Sequence, residues 1–132
     1  MSWGNQRYQK YGARKKVDHA GRSFASKLEA AVYDHLVVFG YKDIQQQAKV
    51  YLTEARILYL PDFKAVDGRT GEVVWVEAKG FETPVWRIKR KLWMAGYGPG
   101  KLLVFGGSYA SPFLREEINP RKVIIESEEN IE

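Results

Sequence analysis

The sequence predicts a mixed α/β fold, a small β-sheet flanked by helices. Three observations carry this: an amphipathic helical stretch early in the chain, two strand-like runs joined across Asp67-Gly68, and a Thr83-Pro84 helix start followed later by an unbroken apolar run. The 132 residues suffice for one domain with a core, not for two. A hydrophobic fraction of 45% is that of a globular chain. No run approaches the ~18 apolar residues of a membrane span, and no apolar signal-peptide core opens the chain. Cysteine is absent, which excludes a disulfide framework and a Cys zinc site. A soluble, intracellular protein is expected.

Residues 1–22 are polar, basic and dotted with aromatics, without periodicity. They read as an arm, ordered only against a partner or a second subunit. Ser23 to Phe39 reads as a helix with Phe24, Leu28, Ala31, Val32, His35 and Phe39 on one stripe. Glu29 falls at the edge of that stripe, and Gly40 stops the helix. Ile44 to Leu52 and Arg56 to Val66 read as strands, and Asp67 to Gly71 as a tight hairpin connection. Glu72 to Lys79 is the third strand. Thr83 caps a second helix with Pro84 at its first position. Val85, Ile88, Leu92 and Ala95 are its expected apolar stripe, with Trp86 and Trp93 alongside as core or dimer contacts. Lys101 to Phe105 is a fourth strand, buried on both faces. Ser111 to Asn119 reads as a short helix or loop and Arg121 to Ile125 as an edge strand. The organisation is thus an arm (1–22), one domain (23–125) and an acidic tail (126–132).

The formal net charge is +5, and its distribution is uneven. One basic cluster includes Arg14, Lys15 and Lys16, and a second holds Arg87, Lys89, Arg90 and Lys91. Basic clusters of this kind suit a polyanion; the plainer reading is solvated surface charge. Lys89 has two readings, a phosphate or active-site contact and a stem lying along Trp93. Gln45-Gln46-Gln47 is a polar entry to a strand near the expected site. His35 reads as a packed core histidine, and His19, in a turn, makes no metal pair with it.

A strand alternates faces, so Glu77 and Lys79 share one face, as do Asp62 and Lys64 on the preceding strand. The hairpin makes these strands neighbours and brings Asp62 toward Glu77. Two adjacent carboxylates repel unless a cation neutralises them. Carboxylate oxygens, a backbone carbonyl (that of Ala78) and water suit a hard divalent ion, Mg²⁺ or Mn²⁺. Such an ion lowers the pKa of bound water and offsets charge building on a phosphate. Lys79 is placed to orient the water or stabilise the transition state, and Glu29 to add a third carboxylate.

The stretches "KYGARKKV", "FASKLEAAVYDHL", "YLPDFKAVD" and "VEAKGFETPVWRIKRKL" resemble the PD-(D/E)XK nuclease superfamily, within it a group of small phage endonucleases related to archaeal-type Holliday junction resolvases. The resemblance covers roughly residues 10–105. It implies a restriction-endonuclease-like core, a homodimer with two active sites, branched four-way DNA as partner, and Mg²⁺ with Mn²⁺ as a substitute. It further implies hydrolysis of one phosphodiester per site with 5′-phosphate products, and a host-cytoplasm location for a phage-encoded chain. Glu29, Asp62, Glu77 and Lys79 match the family's catalytic set, and Ser26 matches a serine some resolvases use near the scissile phosphate. The basic clusters are then DNA contacts. Two other functions fit the same residues: a nuclease acting on duplex, flap or other branched DNA, and a non-catalytic DNA-binding module on the same fold.

Overall fold

A computed structural model of the chain describes residues 16–121, among which lie nine β-strands and two α-helices. β1 (Val17–His19) and β2 (Arg22–Phe24) form an antiparallel hairpin. The expected arm therefore ends earlier, because residues 17–19 pair with 22–24 of the same chain instead of waiting for a partner. Its remainder, with Arg14 and Lys15, lies outside the described residues, as does the acidic tail.

Helix α1 (Lys27–Val38) starts four residues later than periodicity suggested. Ser26 is the N-cap, in extended conformation, and its hydroxyl accepts from the Glu29 N–H at 3.1 Å. Phe24 thus belongs to β2. The buried face is Ala30, Val32 and Leu36. His35 and Phe39 instead stack on each other at 4.3 Å, and Phe39 is exposed.

β3 (Tyr41–Gln46), β6 (Phe63–Asp67), β7 (Val73–Ala78), β8 (Lys101–Ser108) and β9 (Ser111–Ile118) form a five-stranded sheet in the order β3-β6-β7-β8-β9. All its pairings are antiparallel except β7–β8, which is parallel. The two longest expected strands are each broken. Chain 44–52 splits at Gln47, which takes a left-handed φ of 54°, and the run 56–66 splits at Leu60-Pro61-Asp62. Pro61 offers no N–H to a ladder, and the freed pieces β4 (Val50–Leu52) and β5 (Ile57–Tyr59) pair in a hairpin of their own. The expected helix or loop after residue 111 is strand β9. Its charged residues fit an edge, where one side of the ladder faces solvent. Of the expected edge strand 121–125, all but Arg121 lies outside the described residues.

Alternation along the central strands splits the core in two. Phe63, Ala65, Val74, Val76, Leu103 and Phe105 face α1. Trp75, Leu102 and Val104 face the other way, onto the β4–β5 hairpin and helix α2 (Pro84–Leu92). Thr83 caps α2 by accepting from the Trp86 N–H, with Pro84 at its start, as the sequence predicts. Its buried face is not the expected aliphatic stripe: Val85 is 60% exposed and Ile88 59%, while Trp86 and, in the π-helical turn that follows (Trp93–Tyr97), Trp93 are buried. Burying an indole removes more apolar surface than burying an aliphatic side chain, so the tryptophans set the rotation of the helix.

Candidate active site

The β6–β7 register pairs Phe63 with Val76. One step beyond it, Asp62 stands opposite Glu77 at the end of the ladder, on the same face. Both are almost fully buried, at 9% and 7% exposure, which is costly for carboxylates without compensation. Asp62 Oδ2 accepts from the Ala78 backbone N–H at 2.7 Å, and the Asp62 carbonyl accepts from the Gln47 N–H at 3.0 Å. In a strand the N–H and C=O of one residue point the same way, so the Ala78 carbonyl turns toward the same edge. Glu77 Oε1 accepts from the Tyr59 hydroxyl at 2.5 Å, and its Oε2 lies 3.8 Å from Lys79 Nζ. Lys79 in turn sits over the Trp86 ring, at 5.5 Å.

Glu29 reaches this group from the first turn of α1. Its Oε2 accepts from the Ala25 N–H at 3.3 Å, one residue before the Ser26 N-cap, and so ties the entering chain to the first turn. A cleft of about 400 Å³ is lined by Ser26, Glu29, Asp62, Glu77, Lys79 and Phe81, among others. A second cleft of about 430 Å³ shares Glu77 and Lys79 and adds Tyr59, Trp86 and Lys89.

The electrostatics match a site short of positive charge. Burial pushes the Asp62 carboxyl well up from 3.8, and the neighbouring Glu77 and Glu29 carboxylates push it further; the Ala78 N–H opposes them. Burial also raises Glu77, opposed by the Tyr59 hydrogen bond and by Lys79. Tyr59 is raised by burial and by Glu77, so it stays a hydrogen-bond donor.

Among the described residues no three His, Cys, Asp or Glu side chains are arranged to hold a metal ion. The donor set consists of two carboxylates with a backbone carbonyl beside them. That set fits Mg²⁺, which keeps several waters and takes one or two carboxylates. Glu29 lines the same cleft and its carboxylate acts directly on Asp62.

The sequence thus locates Asp62, Glu77, Ala78, Lys79, Glu29 and Ser26 around one pair of clefts, and Lys89 beside them. The other basic residues of α2 are dispersed. Arg87 pairs with Glu82 at 3.3 Å, Arg90 pairs with Glu116, and Lys91 is exposed. Lys16 is exposed just before β1. Gln46 donates to the Ser23 carbonyl at 2.8 Å, tying β3 to the β1–β2 hairpin. His19 lies in β1 with its Nε2 2.8 Å from Asp34, and half-buried His35 is held below its usual pKa by burial. Sequence reasoning missed Tyr59. Its position before the strand break at Pro61, in register with Val50 of β4, places it under Glu77, and a lone tyrosine in an apolar run carries no signal of that.

The chain belongs to a family described as protein of unknown function (DUF1064), whose model matches residues 8–105. That span contains both helices, strands β1 to β7, the first part of β8 and every carboxylate of the site. Comparisons with curated proteins and with solved structures gave no match. Among the described residues no helix is long and apolar enough to cross a membrane.

Proposed function

We propose that the protein is a divalent-metal-dependent DNA endonuclease of the PD-(D/E)XK type, structure-selective, cutting four-way junctions as a homodimer. The observation that supports this most is the pairing of buried Asp62 with buried Glu77 at the end of β7, Lys79 being two residues further on and beside Glu77. A fold gains nothing in stability from two buried carboxylates with one lysine beside Glu77; a hard cation gives them a purpose. Asp62, Glu77 and the Ala78 carbonyl would hold Mg²⁺ or Mn²⁺, with Glu29 beside Asp62 in the same cleft. When bound, the ion supplies Lewis-acid chemistry, offsetting charge on a phosphate and acidifying water.

The chain's own residues do the rest. Tyr59 fixes the Glu77 carboxylate by holding Oε1, so that Oε2 is left to face Lys79. Lys79, packed over Trp86, presents an ammonium that orients a water or meets a phosphate oxygen. Ser26 holds the first turn of α1 against the cleft. Lys89 and Lys91 contribute phosphate contacts that position DNA without reading its sequence.

The substrate class is tested with a panel of linear duplex, flap and immobile four-way junction at equal concentration in Mg²⁺. Paired nicks on the junction, at a rate well above that on duplex, are expected. Equal rates on duplex and junction would leave the nuclease and remove the resolvase.

A further inference from the structure

A third cleft, of about 390 Å³, opens on the α2 side of the sheet, lined by Lys49, Tyr51, Lys64, Trp75, Tyr97 and Pro99 among others. Trp75 is buried and makes its floor, while Tyr51 and Tyr97 are exposed. Lys64 Nζ stands over the Trp75 ring at 5.5 Å, and the Arg56 guanidinium stands over Tyr51 at 4.3 Å. Neither Lys49 nor Lys64 is in an ion pair among the described residues. Aromatic rings beside unneutralised cations match the two halves of a nucleotide, a base to stack and a phosphate to neutralise. A base inside a duplex has both faces covered by its neighbours, so the rings are open only to an unpaired one.

The cleft is coupled in space to the carboxylate site. Lys64 follows Asp62 by two residues on one face of the strand, about 7 Å away along the chain. Val50, beside Lys49 and Tyr51, pairs with Tyr59, whose hydroxyl holds Glu77. A strand of DNA crossing the carboxylates therefore reaches the aromatic cleft within a nucleotide or two.

We infer that this cleft binds an unpaired nucleotide next to the cleaved phosphate, stacking its base against Tyr97 and its neighbours and meeting its phosphate with Lys64 and Lys49. The inference rests on the DNA-cleaving reading and sharpens it: the preferred substrate carries a single-stranded or splayed nucleotide beside the cut.

The test measures binding of fluorescein-labelled oligothymidylate and of a matched duplex by anisotropy, in EDTA, to the full chain and to Tyr97→Ala, Lys64→Gln and Tyr97→Phe. Tyr97→Ala is expected to weaken oligothymidylate binding about tenfold, in the range for loss of one stacking ring, and Lys64→Gln to weaken it and flatten its salt dependence. Duplex affinity should change less than about twofold in both, since duplex offers no free base face. Tyr97→Phe, which keeps the ring, should retain wild-type affinity. Unchanged oligothymidylate binding in Tyr97→Ala and Lys64→Gln overturns the inference, as does an equal loss on duplex. A change in sedimentation with no change in DNA binding would make the cleft a contact between copies and overturn it too. Binding is read in EDTA, so its loss in Tyr97→Ala stands whether or not the wild type cuts DNA in Mg²⁺, and wild-type cleavage measured separately tells the failure of one level from the failure of the other.

Discussion

Replacing Asp62 by Asn should stabilise the metal-free protein. The folded carboxyl is held well above its ordinary 3.8 by burial and by Glu77 and Glu29, so the folded state holds a proton more tightly than the unfolded chain does. Stability of the wild type therefore falls as pH rises from about 3.8 through the raised folded value. Asn has no such term. Its side-chain oxygen still accepts from the Ala78 N–H, and its amide can donate toward Glu77, so the hydrogen bonding of the site survives. Removing one charge from a cation-poor buried site is worth about 1–2 kcal/mol, roughly 3–8 °C in Tm for a chain of this size. The assay is thermal unfolding in EDTA, at pH 7.5 and at pH 4. Asp62→Asn should melt higher at pH 7.5, with the gap closing toward pH 4, where the folded carboxyl is protonated and the unfolded one about half protonated. A variant that melts lower than wild type at pH 7.5 without metal would refute the reasoning, because it would make the Asp62 charge a structural partner.

Tyr59→Phe removes the hydroxyl that holds Glu77 Oε1 and leaves a buried acceptor unpaired; it should cost about 1–3 kcal/mol in denaturant unfolding. The same loss takes away an interaction that lowers the Glu77 pKa, so the acid limb of the pH–rate profile should move to higher pH. Gly98→Ala would drive a methyl to 2.4 Å from the Trp93 ring, which is itself fully buried, and should lower stability by about 1–3 kcal/mol. For DNA affinity against salt, Lys91→Gln should reduce the log–log slope by about 1. Arg90→Gln should reduce it less, because Glu116 already neutralises that guanidinium; equal changes would mean the pair opens on DNA.

The parts of the site legible in the sequence are those set by local geometry. Strand alternation puts Glu77 and Lys79 on one face, the Asp67–Gly71 turn fixes the register, and that register carries Asp62 to Glu77. Thr83-Pro84 marks a helix start because both residues act within one turn of it. What was misread depends on distant partners. Phe24 extends the periodicity of α1 but pairs with Val17 in β2; the true start was marked by Ser26 and Glu29, three residues apart as capping requires. Val85 and Ile88 have helical spacing as good as that of Trp86 and Trp93, and only the hairpin of Val50, Leu52 and Tyr59 decides between them, while Leu92 packs on the core as expected. The run 56–66 reads as one strand until β4 takes half of it. Tyr59 entered the site through that same break, so one misread strand hid one site residue.

The most direct measurement is cleavage of a labelled four-way junction by purified protein in Mg²⁺ and in EDTA, with Asp62→Asn beside it and the product ends mapped. The account predicts nicks bearing 5′-phosphates in Mg²⁺ alone, lost in Asp62→Asn although that variant still binds the junction. Cleavage that survives EDTA or Asp62→Asn, or tight junction binding with no cleavage in Mg²⁺ or Mn²⁺, would contradict it.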